Sequence, residues 1–195
     1  MSTFKVYFEL GYDHIMDIQG YDHILFIISL AAIYLLKDWR KVLWLVTAFT
    51  IGHSITLALS TLNYVLVEAA YIEFLIPVTI FITAFANLFK SERNLKYVSK
   101  IQVNYIFASL FGLIHGLGFS NYLKALLGKS NNIVSELLAF NIGLEAGQIV
   151  IVTAFLLISF IFIDLFGVKR RDWVLIISSI IIGLSLTIMM ETKFW

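Results

Sequence analysis

The chain has no cysteine among its 195 residues. That excludes disulfides, thiolate nucleophiles and thiolate-bound metals, and leaves the compartment open. Proline occurs once, as Pro77, so a proline kink or break can fall at that place only. Charge is scarce. Lys, Arg, Asp and Glu make up 14% of the residues, where a soluble domain carries about 25%. The net charge is +1, too little to draw a nucleic acid by field alone. The first nineteen residues carry Lys5, Glu9, Asp13, His14 and Asp17 and no apolar h-region. They do not read as a cleavable signal peptide, and the first span is expected to serve as the targeting signal. Apolar residues dominate instead, at 60%, with a mean hydropathy of +0.90.

Several apolar runs approach or exceed the ~20 residues that cross a bilayer as a helix. The expected fold is all-α, a polytopic transmembrane helical bundle of about six spans in a single domain over residues 1–195. The spans read as Gly20–Leu36, Val42–Leu62, Tyr71–Phe89, Ile101–Phe119 with an extension towards Leu127, a segment within Ile133–Phe166, and Trp173–Met190. Pro77 lies near the start of the third. The polar run Gly128-Lys-Ser-Asn-Asn132 separates the fourth span from the fifth. Lys37, Arg40 and Lys41 follow the first span, Lys90, Arg93, Lys96 and Lys100 the third, and Lys169, Arg170 and Arg171 the fifth. These are ten of the fourteen basic residues, all on one side. The positive-inside rule makes that side cytoplasmic and places both termini on the non-cytoplasmic side. The expected location is a bacterial-type inner membrane, with lipid as the surrounding partner.

The polar residues within the spans then segregate. Asp22 and His23 open span one, His53 lies two-thirds along span two, Glu73 opens span three, and His115 is the fifteenth residue of span four. Asn141, Glu145 and Gln148 sit early in span five at i, i+4, i+7 and share one helix face. His14 precedes span one on the same side. All four histidines and most of the intramembrane carboxylates therefore fall in one outer layer. Ionisable residues inside spans are costly and usually functional. Imidazoles with nearby carboxylates form a first-row metal constellation suited to zinc, nickel, copper or iron. A carboxylate can also orient a ligating imidazole from behind, and Asp22-His23 supplies one of each. Gly112-x-x-x-Gly116 and Gly143-x-x-x-Gly147 are small-xxx-small patterns, expected to let spans four and five pack closely beside His115 and Glu145. Thr47, Thr50, Ser54 and Asn87 add hydroxyl and amide groups. Plainer readings exist for several of these residues. Asp22 can cap a helix, Asn141 and Gln148 can be packing hydrogen bonds, and His14 and Glu73 can be solvated at the interface.

Four motifs carry a family likeness: Gly20-Tyr-Asp-His-Ile-Leu-Phe26, Phe49-Thr-Ile-Gly-His-Ser-Ile-Thr-Leu57, Phe111-Gly-Leu-Ile-His-Gly-Leu-Gly-Phe119 and Phe140-Asn-Ile-Gly-Leu-Glu-Ala-Gly-Gln148. In this order the chain resembles the HupE/UreJ family, small polytopic membrane proteins linked to nickel or cobalt supply. The resemblance implies that His14, Asp22, His23, His53, His115 and Glu145 are the characteristic polar positions, and that Glu73 matches a glutamate at the start of the third span. The family spaces its first histidine five residues before the Asp-His pair. Here seven residues separate His14 from Asp22, as if Ile18-Gln19 were inserted.

Residue placement alone supports two functions equally. One is a permease for a divalent cation, with His23, His53, His115, Asp22 and Glu145 as its metal site and His14, Glu73, Asn141 and Gln148 as additional groups. The other is an intramembrane zinc-type hydrolase or transferase acting on a lipid or lipid-anchored substrate. Its catalytic groups would be Glu145 or Asp22 as base and Ser54 as oxyanion donor. The resemblance ranks the permease first, with nickel or cobalt as cargo. A metal sensor or assembly partner without turnover is the third reading. A protomer this small also admits a homo-oligomer.

Overall fold

A computed structural model of the chain describes residues 2–91, 95, 101–127 and 132–195. Among these, every regular element is helical. The α-helices are α1 (Thr3–Met16), α2 (Asp22–Ala31), α3 (Trp39–Thr61), α4 (Ala69–Leu88), α5 (Ile101–Gly118), α6 (Ser120–Leu127), α7 (Ile133–Phe160) and α8 (Arg170–Glu191). A 3₁₀ turn, Leu36–Asp38, leads into α3, and a π turn, Ile161–Leu165, extends α7. Arg93, Lys96, Lys100, Lys129 and most of the polar run 128–132 lie outside the described residues.

Four helices among the described residues are long and apolar enough to cross a bilayer: Leu36–Thr61, Ala69–Leu88, Ile133–Leu165 and Arg170–Glu191. The expected first span is shorter than its apolar run. Its α-helix has ten residues, and the backbone turns extended at Leu35. The fourth apolar run does not continue as one helix. It ends at Gly118, and α6 restarts at Ser120. Pro77 is buried inside α4, which runs on through it.

The N-terminal segment forms a helix ahead of the first span. Ser2 caps α1 by accepting from the Lys5 amide. The buried side of α1 carries Gly11 and Ile15, with Tyr7 and Leu10 packed on the core. This side lies on α7. Gly143 stands against the backbone of Phe8 and Tyr12, Gly11 against that of Phe140 and Leu144, and Gly147 against Ile15. The register rises together on both chains, so α1 and α7 are parallel. A second pair repeats the arrangement. Gly52 of α3 faces Ser109 and Leu113, Gly112 of α5 faces Phe49 and His53, and Gly116 faces the His53 carbonyl. The glycines of α5 and α7 therefore do allow close packing, but not of α5 with α7. Each serves a different partner, α3 and α1 respectively, because removing Cβ lets two backbones touch.

Most of the described basic residues gather at one end. Arg171 donates to the Leu88 and Lys90 carbonyls, and Arg170 to those of Leu95 and Ile33. These carbonyls include the orphans at the end of α4, which cations satisfy well. Lys41 pairs with Asp38 at the start of α3, at 2.8 Å. At the other end Tyr71 and Phe74 of α4 pack on Phe194 and Trp195 beyond α8. The histidines lie between, nearer this second end.

Candidate metal centre

Helix geometry delivers the histidines to one depth. His14 comes from the last turn of α1, His23 from the first turn of α2, His53 from the middle of α3 and His115 from the last turn of α5. Ring centroids are 4.7 Å apart for His14 and His23, 5.2 Å for His23 and His115, and 6.3 Å for His23 and His53. His23 is thus the hub. Ligand atoms of His14, His23 and His53 all lie within 4.8 Å of one another. Around a tetrahedral ion with bonds of 2.0–2.1 Å, nitrogens would be about 3.4 Å apart. Closing on an ion therefore asks for ring movements of roughly an ångström.

Hydrogen bonds set which nitrogen is offered. The His23 Nδ1–H donates to Asp22 Oδ1 at 3.0 Å, and the same oxygen accepts the His23 amide at 2.8 Å. That leaves Nε2 of His23 with its lone pair, the carboxylate–histidine arrangement that tunes metal ligands. The Thr79 hydroxyl donates to the Ile76 carbonyl, at 2.7 Å. Its oxygen is therefore the acceptor for His115 Nε2–H, at 3.3 Å, and Nδ1 of His115 is the lone-pair atom.

His53 and His115 are fully buried and His23 is 5% exposed. Even so, His14 Nε2, His23 Nε2, both nitrogens of His53 and His115 Nδ1 have no hydrogen-bond partner among the described residues. Leaving a buried polar atom unmatched costs about 1–3 kcal/mol. Five in one place add up to a large cost, and since a neutral imidazole has one lone pair, each of the four rings can offer one to a bound cation. Phe26 and Phe49 lie against His115, Phe119 against His14, and Phe140 stacks on His53. These apolar rings flank the imidazoles.

Other polar residues stand elsewhere. Glu145 accepts from the Thr47 hydroxyl at 2.6 Å, and Gln148 from Thr50 at 2.8 Å. Thr47 is six residues from His53 on α3, about 9 Å along the axis, so Glu145 forms a second layer towards the basic end. Asn141 donates to the Leu137 carbonyl of its own helix, and Ser54 to the Thr50 carbonyl. Glu73 is exposed and lines a cleft of about 210 Å³ together with His14, Asp17, Asp22, His23 and His115. A second cleft of about 220 Å³ shares Asp22 and Glu73 and adds Glu191 and Thr192. Among the described residues no Lys or Arg lines either cleft, so the approach to the imidazoles is acidic.

Thr79, Asp17 and Glu191 are the groups at this site that sequence reasoning passed over, and His14 is closer to its centre than expected. A signal for His14 was present: Gly11-Tyr-Asp-His-Ile15 is repeated as Gly20-Tyr-Asp-His-Ile24. The two extra residues, Ile18 and Gln19, fall in the turn between α1 and α2, where Asp17 accepts the Gln19 amide at 2.9 Å. The turn absorbs them and His14 still reaches the cluster.

Fold and site together define an integral membrane protein with a buried, carboxylate-backed imidazole cluster. Residues 1–193 match the HupE / UreJ protein family, and the chain belongs to it. No curated protein and no solved structure matches the chain.

Proposed function

We propose that the protein is a permease for a divalent first-row cation of the nickel and cobalt type, and that the imidazole cluster is its capture site. One observation carries the reading: unpartnered, buried imidazole nitrogens end an acidic cleft. Asp17, Glu73 and Glu191 raise the local concentration of a hydrated dication. His23, His53 and His14, with His115 beside them, then replace part of its water shell. Neutral imidazole suits nickel, cobalt and zinc alike. Asp22 offsets one positive charge and holds His23 in the ligating tautomer. In this reading the basic end faces the cytoplasm, both termini face outward, α2 and α5 join the four long helices as spans, and the cleft opens to the exterior of an inner membrane.

The hydrolase alternative has less support. It needs a base and an oxyanion donor beside the imidazoles. The Glu145 carboxylate is bound to Thr47, and the Ser54 hydroxyl to its own helix. Of the proposed catalytic groups only Asp22 remains at the cluster, and it is engaged with His23. An acidic approach also repels anionic lipid head groups.

The test is uptake of radioactive nickel by proteoliposomes, wild type against His115→Ala, with cobalt and zinc as competitors. Folded wild-type protein that shows no uptake above empty vesicles sinks the permease. If His23→Ala, His53→Ala and His115→Ala each keep the wild-type nickel affinity, the shared site itself is wrong.

A further inference from the structure

A cavity of about 140 Å³ lies on the basic-end side of the imidazoles, among α2, α3, α4 and α5. Nothing in the capture reading uses it. Its size is close to that of apolar cavities of about 150 Å³ that stay dry and take up benzene. Most of its wall is aliphatic or aromatic, with Leu30, Ile33, Leu45, Ile82, Phe107 and Phe111. Ile82 and Phe107 are also exposed on the bundle surface. The cavity therefore opens sideways between α4 and α5, the direction in which lipid surrounds a membrane bundle. Ala86 stands at the same mouth, lining the cavity and exposed.

The polar groups of the wall are already engaged within the protein. The Ser29 hydroxyl donates to the Phe26 carbonyl at 2.7 Å, and the Thr83 hydroxyl to that of Thr79 at 2.8 Å. The Asn87 amide donates to the Ser29 carbonyl at 2.8 Å, and the Asn104 amide to the Tyr34 hydroxyl at 3.1 Å. None of these side chains is among the buried polar groups left unmatched. A water needs about 2–4 polar partners to settle, and a cation needs stronger ligands than this wall has. No carboxylate or imidazole lines it among the described residues. Apolar wall atoms gain instead from dispersion contacts with hydrocarbon. In a bilayer the hydrocarbon at hand is an acyl chain.

The single charge in the lining is Lys90, at the basic end. It is half-buried, and its ammonium is in no ion pair among the described residues. Its backbone is held in place, since Arg171 donates to the Leu88 and Lys90 carbonyls. From Ile82 to Lys90 is about 12 Å along the helix axis. One leaflet contributes about 15 Å of the ~30 Å hydrocarbon core. A phospholipid with its phosphate at Lys90 therefore has its chain alongside the mouth at Ile82 without leaving its leaflet. Basic residues at the ends of membrane helices attract anionic head groups.

We propose that this cavity is a lipid site. One acyl chain of an anionic phospholipid enters between α4 and α5 past Ile82, Ala86 and Phe107, and its phosphate sits on Lys90. The inference goes beyond the permease reading and does not depend on it. Phe111 precedes His115 by one helical turn, and Thr83 is bonded to Thr79, which holds His115. The seated chain fills the space between these two walls and braces the bundle beside the metal centre.

The test uses the full-length protein, delipidated in detergent and titrated with phosphatidylglycerol or with phosphatidylcholine of the same chains. Native mass spectrometry reads the bound lipid. The wild type is expected to bind one phosphatidylglycerol about fivefold more tightly than phosphatidylcholine, the worth of one basic residue near an anionic surface. Lys90→Gln should abolish that preference. Lys37→Gln should keep it, because Lys37 is exposed at the same end and lines no part of the cavity. Ala86→Phe plugs the mouth and should weaken both lipids at least tenfold, while Ala154→Phe, on an exposed side of α7, leaves both within twofold. One arm needs no variant: a phosphatidylglycerol with a photoreactive group at mid-chain should cross-link to residues 82–86 or 107–111. Soluble glycerol phosphate should not displace the lipid. Equal affinity of the wild type for the two lipids, or a preference lost equally in Lys37→Gln, overturns the site. So do cross-links spread evenly over the outer faces of the bundle, which mean ordinary boundary lipid, and so does displacement by glycerol phosphate. Protein that binds lipid as expected but takes up no nickel keeps this site and loses only the permease reading.

Discussion

Replacing Gly52 by alanine isolates the contact on which the metal centre's geometry depends. A methyl at position 52 would meet the Ser109 carbonyl carbon at 3.0 Å and the Leu113 nitrogen at 3.1 Å, with the Ser109 oxygen closer still. All three are backbone atoms of α5 and cannot swing aside, so α3 and α5 must separate by roughly an ångström. Overpacking of this kind costs about 1–3 kcal/mol. For a chain of 150–250 residues each kcal/mol lowers Tm by about 2–4 °C, so a drop of about 2–12 °C is expected. His53 is the next residue, and Gly112 and Gly116 rest on the backbone at Phe49 and His53. Separation therefore also carries His53 away from His115, and nickel affinity should fall about tenfold or more. The assay is intrinsic tryptophan fluorescence on heating, since four tryptophans report, followed by calorimetric titration with nickel chloride. Gly183→Ala is the control, because nothing lies within 4 Å of its methyl. If Gly52→Ala and Gly183→Ala melt together and bind nickel alike, the close crossing of α3 and α5 is wrong.

Asp22→Asn keeps the shape of the side chain but removes the charge that holds His23 Nδ1–H. Nickel affinity is expected to fall 10–100-fold by titration, the range for lost outer partners, with Tm of the metal-free protein within a few degrees. Thr50→Val leaves the buried Gln148 without its 2.8 Å donor. The expected loss is about 1–3 kcal/mol, read as a lower Tm, with nickel stoichiometry unchanged. Arg171→Ala removes the donor to two carbonyls at the end of α4. About 2 kcal/mol of destabilisation is expected from charge-assisted bonds, and trypsin cleavage near Lys90 should quicken. Nickel at 100 times its Kd should stabilise the wild type by about 2.7 kcal/mol, and chelator should abolish that gain.

The clustering of the histidines and the pairing of Asp22 with His23 were legible because ionisable groups are rare inside spans, so each one stands out. The helical class was legible for the same reason that apolar runs of span length have few other solutions. What could not be read was which helix each glycine faces. A small-xxx-small pattern announces close approach but carries no address, and Gly112 and Gly143 each met a partner more than fifty residues away. Glu145 shows the same limit. Its spacing with Gln148 places both on one face, yet the hydroxyls that satisfy them, Thr47 and Thr50, lie 98 residues earlier. α1 was hidden by composition. Lys5, Glu9 and Asp13 make the segment look solvated, and one side of it is, while Gly11 and Ile15 are buried against α7.

The two glycine crossings make two stiff helix pairs within the molecule. α1 and α7 touch backbone to backbone, as do α3 and α5, and the first pair runs antiparallel to the second, since Phe140 meets His53 while Glu145 meets Thr47. Neither pair can flex internally without breaking its seam. His14 belongs to one pair, His53 and His115 to the other, and His23 to the short helix between them. An ion held by all of these would be a rivet through separate plates. Its arrival would fix their relative angle and its departure would free it, so the cargo itself would set when the plates can turn.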